Sequence, residues 1–401
     1  MADIELMKLL SMSSPSKIVL LILDGLGGLP RPETGKTELE TARTPNLDSL
    51  AVKGICGLVD PVGQGITPGS APGHAALFGY DPLHSEIGRG VLEAVGIDFD
   101  LQSGDIAARG NFCTVDGEGK ITNRRAGRIS TKRCTELCRL LDGMIINNVT
   151  ILVRPVREHR FVAVFRGAGL VERVSESDPQ QLGVTPLAIE ALSPAAAKMA
   201  SVANWFVDRA RKALETHYPA NMILLRGFSK RPQFQTMNEI YKLTPASITV
   251  YPMYRGLARL VGMEALETGI TFEDELKTLR ENYDRFDFFF VHVKAIDSAG
   301  EDGDFDRKVG VIEEVDRALP ALIDLNPDVV VVTGDHSTPA LLKGHSWHPV
   351  PLLISSPWCR PDGVTGFSES ACIHGGLGRF PATEIMPLAM AHALKLNKFG
   401  A

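Results

Sequence analysis

Five short runs of this chain are apolar at nearly every position: KIVLLILD (17–24), ASITVYP (246–252), FDFFFVHV (286–293), DVVVVTGD (328–335) and PVPLLISS (349–356). A strand with one wet face alternates apolar and polar residues. A run without alternation is satisfied where a sheet is covered on both faces. Helical patterns lie between these runs. In FDRKVGVIEEVDRALPALIDL (305–325), Val309, Ile312, Val315, Leu319 and Leu322 share one face, and YRGLARLVGMEAL (254–266) is spaced the same way. Strands alternating with helices predict an α/β fold with a mostly parallel sheet.

The middle of the chain departs from this pattern. Its runs are shorter and more polar, GEGK (117–120) reads as a hairpin turn, and EHRFVAVFRG only partly alternates. We expect a smaller α+β domain at 93–217, inserted into a larger domain formed by 1–92 and 218–401. A length of 401 residues suits such a pair. The net charge of −6 gives no basic footprint for nucleic acid. IVLLIL (18–23) is too short to span a bilayer. Asp3 and Glu5 stand where a signal peptide would be basic, so no leader is expected. The six cysteines (56, 113, 134, 138, 359, 372) form no matched pairs of pairs, and free thiols in a reducing cytoplasm are the simplest reading.

In an open α/β sheet, ligands gather beyond the carboxyl ends of the strands. Asp24 follows the first run, with Gly25, Gly27 and Gly28 after it. Lys294 and Asp297 follow the third, and Asp335 and His336 the fourth. His345 stands just ahead of the fifth. A lone Asp after a strand is commonly a cap or Asx-turn, and a lone His is commonly structural. Several carboxylates converging on one edge repel one another unless a cation sits among them. Asp and Glu with His suit Mn²⁺ or Zn²⁺, and carboxylates alone suit Mg²⁺. Asp335 and His336, adjacent on an extended backbone, are placed to serve one metal each of a pair. In GITPGSAPGHAALFGYD (65–81), Ser70 is boxed in by turn formers ahead of a helical run, with His74 four residues on. It reads as a helix N-cap, a nucleophile, or both. A divalent metal would supply the alkoxide that a bare serine lacks. There is no G-x-S-x-G elbow, no G-x-x-x-x-G-K-[ST] loop and no kinase signature.

LLILDGLGG, TPNLDSLA (44–51), TPGSAPGHAALFGYDP, KAIDSAGEDGDF, VTGDHSTP and HSWHPVPLLI occur in that order. Together they resemble the archaeal-type branch of the cofactor-independent phosphoglycerate mutases, in the alkaline phosphatase superfamily, over about residues 17–395. The resemblance implies a three-layer α/β/α phosphatase-like domain carrying an inserted substrate domain. It implies interconversion of 3-phosphoglycerate and 2-phosphoglycerate through a phosphoserine on Ser70. One divalent metal would be held by Asp24, Ser70, Asp335 and His336, the other by Asp297, His345 and the residue four after Asp297. The family pattern there is D-x-x-x-H, whereas this chain has Glu301, with Asp302 and Asp304 as alternatives; this harder donor favours Mn²⁺ or Mg²⁺ over Zn²⁺. Arg255 stands where such proteins usually show Lys.

A phosphorylated hydroxy acid needs clustered cations. The expected contacts are Arg109, the NRRAGR arginines Arg124, Arg125 and Arg128, His159 with Arg160, Arg226, Lys230 and Arg255, and Asp178 for a substrate hydroxyl. Closure of one domain on the other would exclude water, without which a phosphoserine is simply hydrolysed. A phosphatase or a homoserine-type kinase on the same machinery are the alternatives. A binding protein on a degenerate scaffold fits poorly with a complete set of Ser70, Asp24, Asp297, Asp335, His336 and His345. The chain is expected to act in the cytoplasm as a monomer or small homo-oligomer, without membrane or nucleic-acid partners.

Overall fold

The computed structural model describes residues 4–83, 87–232 and 234–400. Fourteen strands occur among them. β1 (Ile18–Leu23) and β2 (Ile55–Asp60) come first. β3 (Ile106–Val115), β4 (Ile121–Asn123), β5 (Met144–Ile146), β6 (Val149–Arg157), β7 (Arg160–Arg166) and β8 (Met222–Ser229) follow. The last are β9 (Pro245–Ile248), β10 (Glu264–Leu266), β11 (Phe288–Val293), β12 (Val329–Thr333), β13 (Val350–Ser355) and β14 (Gly378–Pro381). The chain divides into two compact units, one of Met1–Glu86, Phe234–Tyr251 and Ala258–Ala401, the other of Ile87–Gln233 and Pro252–Leu257.

The first unit is an α/β domain built on one eight-stranded sheet, in the order β10-β9-β11-β1-β12-β13-β2-β14. Every residue of β1, β11 and β12 is buried, as the apolar runs require. Phe288, Phe289 and Phe290 are consecutive and all 0% exposed, which only a sheet covered on both faces permits. β1 pairs in parallel with β11 and β12, with Leu23 opposite Val293 and Ile22 opposite Thr333. The three strands therefore end level, and Asp24, Lys294 and Gly334 start their loops at one edge. β13 is antiparallel to both its neighbours. Its beginning lies at the edge where the parallel strands end, which brings His345 there from the sequence ahead of it.

Two helical expectations change. The 305–325 segment forms helices Phe305–Ala318 and Pro320–Ile323, broken where Pro320 cannot donate an amide. Ile312, Val315, Leu319 and Leu322 are buried as the spacing predicts, but so is Lys308. The 254–266 segment is helical only to Leu260. Gly262 then turns at φ +87°, where a β-carbon would meet Thr236 Cβ at 2.7 Å, and Glu264–Leu266 becomes the edge strand β10.

The second unit is α+β. Its antiparallel sheet runs β4-β3-β7-β6-β5, with β8 paired to β3 from Cys113↔Met222 to Ala107↔Ser229. That pairing ties residues beyond 217 to this unit. Val115 pairs with Ile121 across the GEGK turn. Helices Thr131–Leu141 and Ala197–Leu214 cover a core that includes Phe112, Phe161, Phe165 and Phe206. All six cysteines are free thiols. Among the described residues no helix is long and apolar enough to cross a membrane.

Candidate active site

At the common edge of β1, β11 and β12, two groups of metal-ligating side chains lie side by side. Asp24, Asp335 and His336 form one, and Asp297, His336 and His345 the other; within each group the ligand atoms lie within 4.8 Å of one another. Asp24, Asp297, Asp335 and His336 are all 0% exposed. His336 Nε2 is 3.1 Å from Asp335 Oδ2 and 3.5 Å from Asp24 Oδ1. Asp335 thus belongs to one group only, whereas His336 reaches both, its Nδ1 lying 3.9 Å from Asp297 Oδ1. The His336 and His345 rings stack at 3.6 Å between centroids. His345 Nδ1 donates to Pro68 O at 2.9 Å, and its Nε2 lies 3.6 Å from Asp297 Oδ1.

The backbone is shaped for this crowding. Gly25 N donates to Asp335 Oδ1 at 3.2 Å. Gly73, in the helix Ser70–Leu77, leaves room for Asp335: a β-carbon there would come within 2.3 Å of Asp335 O. The cap of that helix is Gly69, so Ser70 is its first residue and not its cap. The Ser70 hydroxyl is thereby freed for the site. Its Oγ lies 3.2 Å from His336 Nε2, and the side chain is half-buried, hence open to a ligand.

Glu301 follows Asp297 by one turn of the helix Ala295–Asp302 and shares its face. Its Oε1 lies 3.9 Å from His345 Nε2 and its side chain is 57% exposed, which puts it at the rim of the second group. The two alternatives are engaged elsewhere. Asp302 pairs with Arg307 at 3.0 Å, and Asp304 caps the helix Phe305–Ala318.

Four residues outside the expected ligand set also shape the site. Lys294 Nζ bridges the groups, 2.6 Å from Asp297 Oδ2 and 3.2 Å from Asp24 Oδ2. His292 Nε2 is 2.9 Å from Asp24 Oδ2. His74 Nδ1 is 3.0 Å from Asp335 Oδ2. Thr338 Oγ1 donates to Asp297 Oδ1 at 2.7 Å. His292 and Lys294 had a readable signal, as an imidazole inside an otherwise apolar strand and an ammonium at its end.

Burial pushes the Asp24 carboxyl up, but Lys294, His292 and His336 outweigh it and hold the group well below the usual carboxylate range. Burial and Asp24 push Asp335 up, and His336 and His74 more than reverse this. Burial holds His292 and His336 below the ordinary imidazole value. Of the three fully buried carboxylates, Asp24 and Asp297 share the Lys294 ammonium, Asp335 faces His74 and His336, and Asp24 Oδ1 is buried without a hydrogen-bond donor. That excess of negative charge and the Asp/His donor sets fit two divalent cations.

The expected substrate residues all lie in the second unit, and they separate into groups. Arg109, Arg125, Arg128 and Arg160 act on His159, which is 2% exposed. Burial first, then these four cations, drive its imidazole down to about 3. Burial also raises Glu93 above its usual value, against the pull of Arg109, Arg160 and Arg89. Arg124 instead grips Asp178 through two bonds, Nε–Oδ1 at 3.0 Å and Nη2–Oδ2 at 2.6 Å, with Arg226 Nη1 3.6 Å away. Burial raises the Asp178 carboxyl, but Arg124, the Gln180 amide and Arg226 hold it low. Lys230 pairs with Glu172 at 3.4 Å, and Arg255 is buried on the helix Pro252–Leu260.

His159 gives a pH prediction. The unfolded imidazole takes up a proton near pH 6.5, whereas the folded one resists until about 3. The unfolded chain therefore binds more protons between these values, and stability falls as pH drops below about 6.5, by at most about 1.4 kcal/mol per pH unit for this one group. His159→Gln should flatten the acid limb of a denaturant-unfolding series between about pH 6.5 and 4. An unchanged slope would contradict the placement of a neutral imidazole among the arginines.

Residues 51–221 match the family model described as 2,3-bisphosphoglycerate-independent phosphoglycerate mutase. A Thermus thermophilus protein named "Probable 2,3-bisphosphoglycerate-independent phosphoglycerate mutase" is 50% identical over 400 residues, covering 98% of each chain. The PH0037 protein of Pyrococcus horikoshii superposes with a TM-score of 0.84 at 30% identity, over 97% of this chain and 100% of that one. The cofactor-independent phosphoglycerate mutase from Thermoplasma acidophilum gives 0.71 at 31%, over 94% and 100%. Half its residues being shared with a relative over nearly the whole length, on a fold that sets two candidate metal-binding groups beside a serine, this chain belongs to the cofactor-independent phosphoglycerate mutase family.

Proposed function

We propose that the chain is a metal-dependent phosphoglycerate mutase that passes the phosphoryl group between the two glycerate hydroxyls by way of Ser70. The observation that carries this is the open Ser70 hydroxyl, 3.2 Å from an imidazole that sits between two buried carboxylates. Asp24, Ser70, Asp335 and His336 would hold one divalent cation, and Asp297, His345 and Glu301 the other. Such cations lower the pKa of a bound hydroxyl and neutralise a transferring phosphoryl group.

The remaining work falls to the chain. As the bond from Ser70 Oγ to phosphorus forms, the ester bond to the first glycerate oxygen breaks. The serine loses a proton and the departing hydroxyl gains one. Return to the second hydroxyl reverses this balance, so neither water nor a nucleotide is consumed. Lys294, whose ammonium lies between the carboxylates of both groups, offers a donor to phosphoryl oxygens. Arg109, Arg125, Arg128 and Arg160 supply a cationic cluster for the substrate's carboxylate or phosphate. Arg124, Arg226 and Asp178 form a second polar cluster, and Arg255 and Lys230 offer further positive charge. Six free thiols suit an enzyme of a reducing cytoplasm.

The test is purified protein with 3-phosphoglycerate, with and without EDTA, following 2-phosphoglycerate and free phosphate together. The expected result is 2-phosphoglycerate without stoichiometric phosphate, abolished by EDTA. Phosphate as the sole product would make the chain a phosphatase. ATP-dependent phosphorylation of homoserine would make it a kinase.

A further inference from the structure

His336 belongs to both metal-ligating groups, yet one imidazole nitrogen cannot serve two ions and carry a proton as well. Thr338, two residues on, decides which way the ring is used. Thr338 Oγ1 lies 2.7 Å from Asp297 Oδ1 and 2.9 Å from His336 Nδ1. A hydroxyl has one hydrogen, and an ionised carboxylate can only accept. The hydrogen of Thr338 therefore goes to Asp297, and Thr338 Oγ1 accepts from His336. His336 must then carry its ring hydrogen on Nδ1. The lone pair is left on Nε2, the atom nearest Ser70 Oγ, Asp24 Oδ1 and Asp335 Oδ2.

The Thr338 hydroxyl is held in place by its surroundings. Thr338 is 0% exposed. Its amide donates to Gly25 O at 3.3 Å and Gly27 O at 3.1 Å. Its carbonyl accepts from Lys308 Nζ at 2.9 Å, and the same ammonium donates to Gly27 O at 3.0 Å. Lys308 is the fully buried lysine on the core face of the helix Phe305–Ala318, so one side chain ties the loop after β1 to the loop after β12. Gly25, at φ +71°, completes the fit: a β-carbon there would come within 2.7 Å of Thr338 Oγ1.

We propose that Thr338 is a positioning residue that fixes the His336 tautomer, committing this imidazole to the cation of Asp24, Asp335 and Ser70. The cation of Asp297 is then left to His345 and Glu301. This rests on the two-cation reading above, but its tests use no phosphoglycerate. The first is ¹⁵N NMR of wild-type protein labelled at histidine, with His336 identified by its loss in His336→Gln. We expect a protonated Nδ1 and a bare Nε2; a protonated Nε2 would overturn the proposal.

The second is titration of chelator-stripped protein with Mn²⁺, following the paramagnetic resonance of the free ion. Thr338→Val keeps the shape and loses the hydroxyl, and should weaken one of the two sites by about ten- to a hundredfold. Thr338→Ser should restore tight binding, which a merely space-filling role for the threonine would not require. Two sites of wild-type affinity in Thr338→Val would equally overturn the proposal. Should the valine variant not fold, the wild-type spectrum decides alone. Two bound ions and the expected tautomer in a protein without mutase turnover would count against the mutase reading and for this one.

Discussion

Ser70→Ala leaves a folded, metal-binding protein that accepts no phosphoryl group and has lost at least about 10⁴-fold in kcat. The magnitude follows from the role. If Ser70 is the nucleophile proposed above, its loss removes the covalent route altogether, and what remains is the binding and electrostatic background. The cost in stability is small by contrast. Ser70 opens the helix Ser70–Leu77, is only half-buried and makes one side-chain bond, to His336. Alanine is a better helix former, so the net change in unfolding free energy should be within about 1 kcal/mol. Two measurements separate these effects. Chemical unfolding of the variant should match wild type closely, and incubation with labelled substrate should give a phosphoprotein with wild type only. Near-normal turnover, or a phosphoprotein from Ser70→Ala, would remove Ser70 from the mechanism. A variant that unfolds early would instead show that its bond to His336 is structural.

Why Ser70 could be singled out in advance, while Thr338 and Lys308 could not, is a matter of what residue patterns encode. The unbroken apolar runs report burial on both faces, and burial is the property that fixed β1, β11 and β12. Residues that follow such strands are placed by them, so Asp24, Asp335 and His336 came out together. His345 is different: it precedes a strand, and joins the site only because β13 runs antiparallel. Hydropathy has no sign for direction, so the place of His345 just ahead of PVPLLISS singled it out without showing that the strand reverses. Periodicity likewise marked the inner face of the helix Phe305–Ala318 but passed over Lys308, because a lysine reads as solvent-facing until two carbonyls are known to await it. Gly69, rather than Ser70, capping its helix was illegible for a related reason. A serine prefers that position in general, and here its hydroxyl has a stronger claim on it from His336, 266 residues away.

Removal of divalent metal should abolish turnover, with Mn²⁺ restoring it better than Zn²⁺, and Glu301 sets that preference. The proposed ligand set is rich in oxygen: Asp24, Asp335 and Ser70 with one imidazole, then Asp297 and Glu301 with another. Oxygen donors in that proportion suit Mn²⁺, whereas each imidazole added to a four-coordinate set favours Zn²⁺. Glu301 is the informative position because changing it is cheap. Its side chain is 57% exposed on the helix Ala295–Asp302, so substitution should alter stability by no more than about 0.5 kcal/mol. Glu301→His exchanges a carboxylate for an imidazole one helical turn from Asp297. It should raise the ratio of Zn²⁺- to Mn²⁺-supported activity, on the order of tenfold. Glu301→Gln keeps the size and loses the charge, and should weaken one Mn²⁺ site while leaving the other. A Zn²⁺ preference in wild type, or an unaltered pair of Mn²⁺ sites in Glu301→Gln, would leave the second cation to Asp297 and His345 without Glu301. Its position at the rim, 3.9 Å from His345 Nε2, would then mean only that two side chains pass near each other.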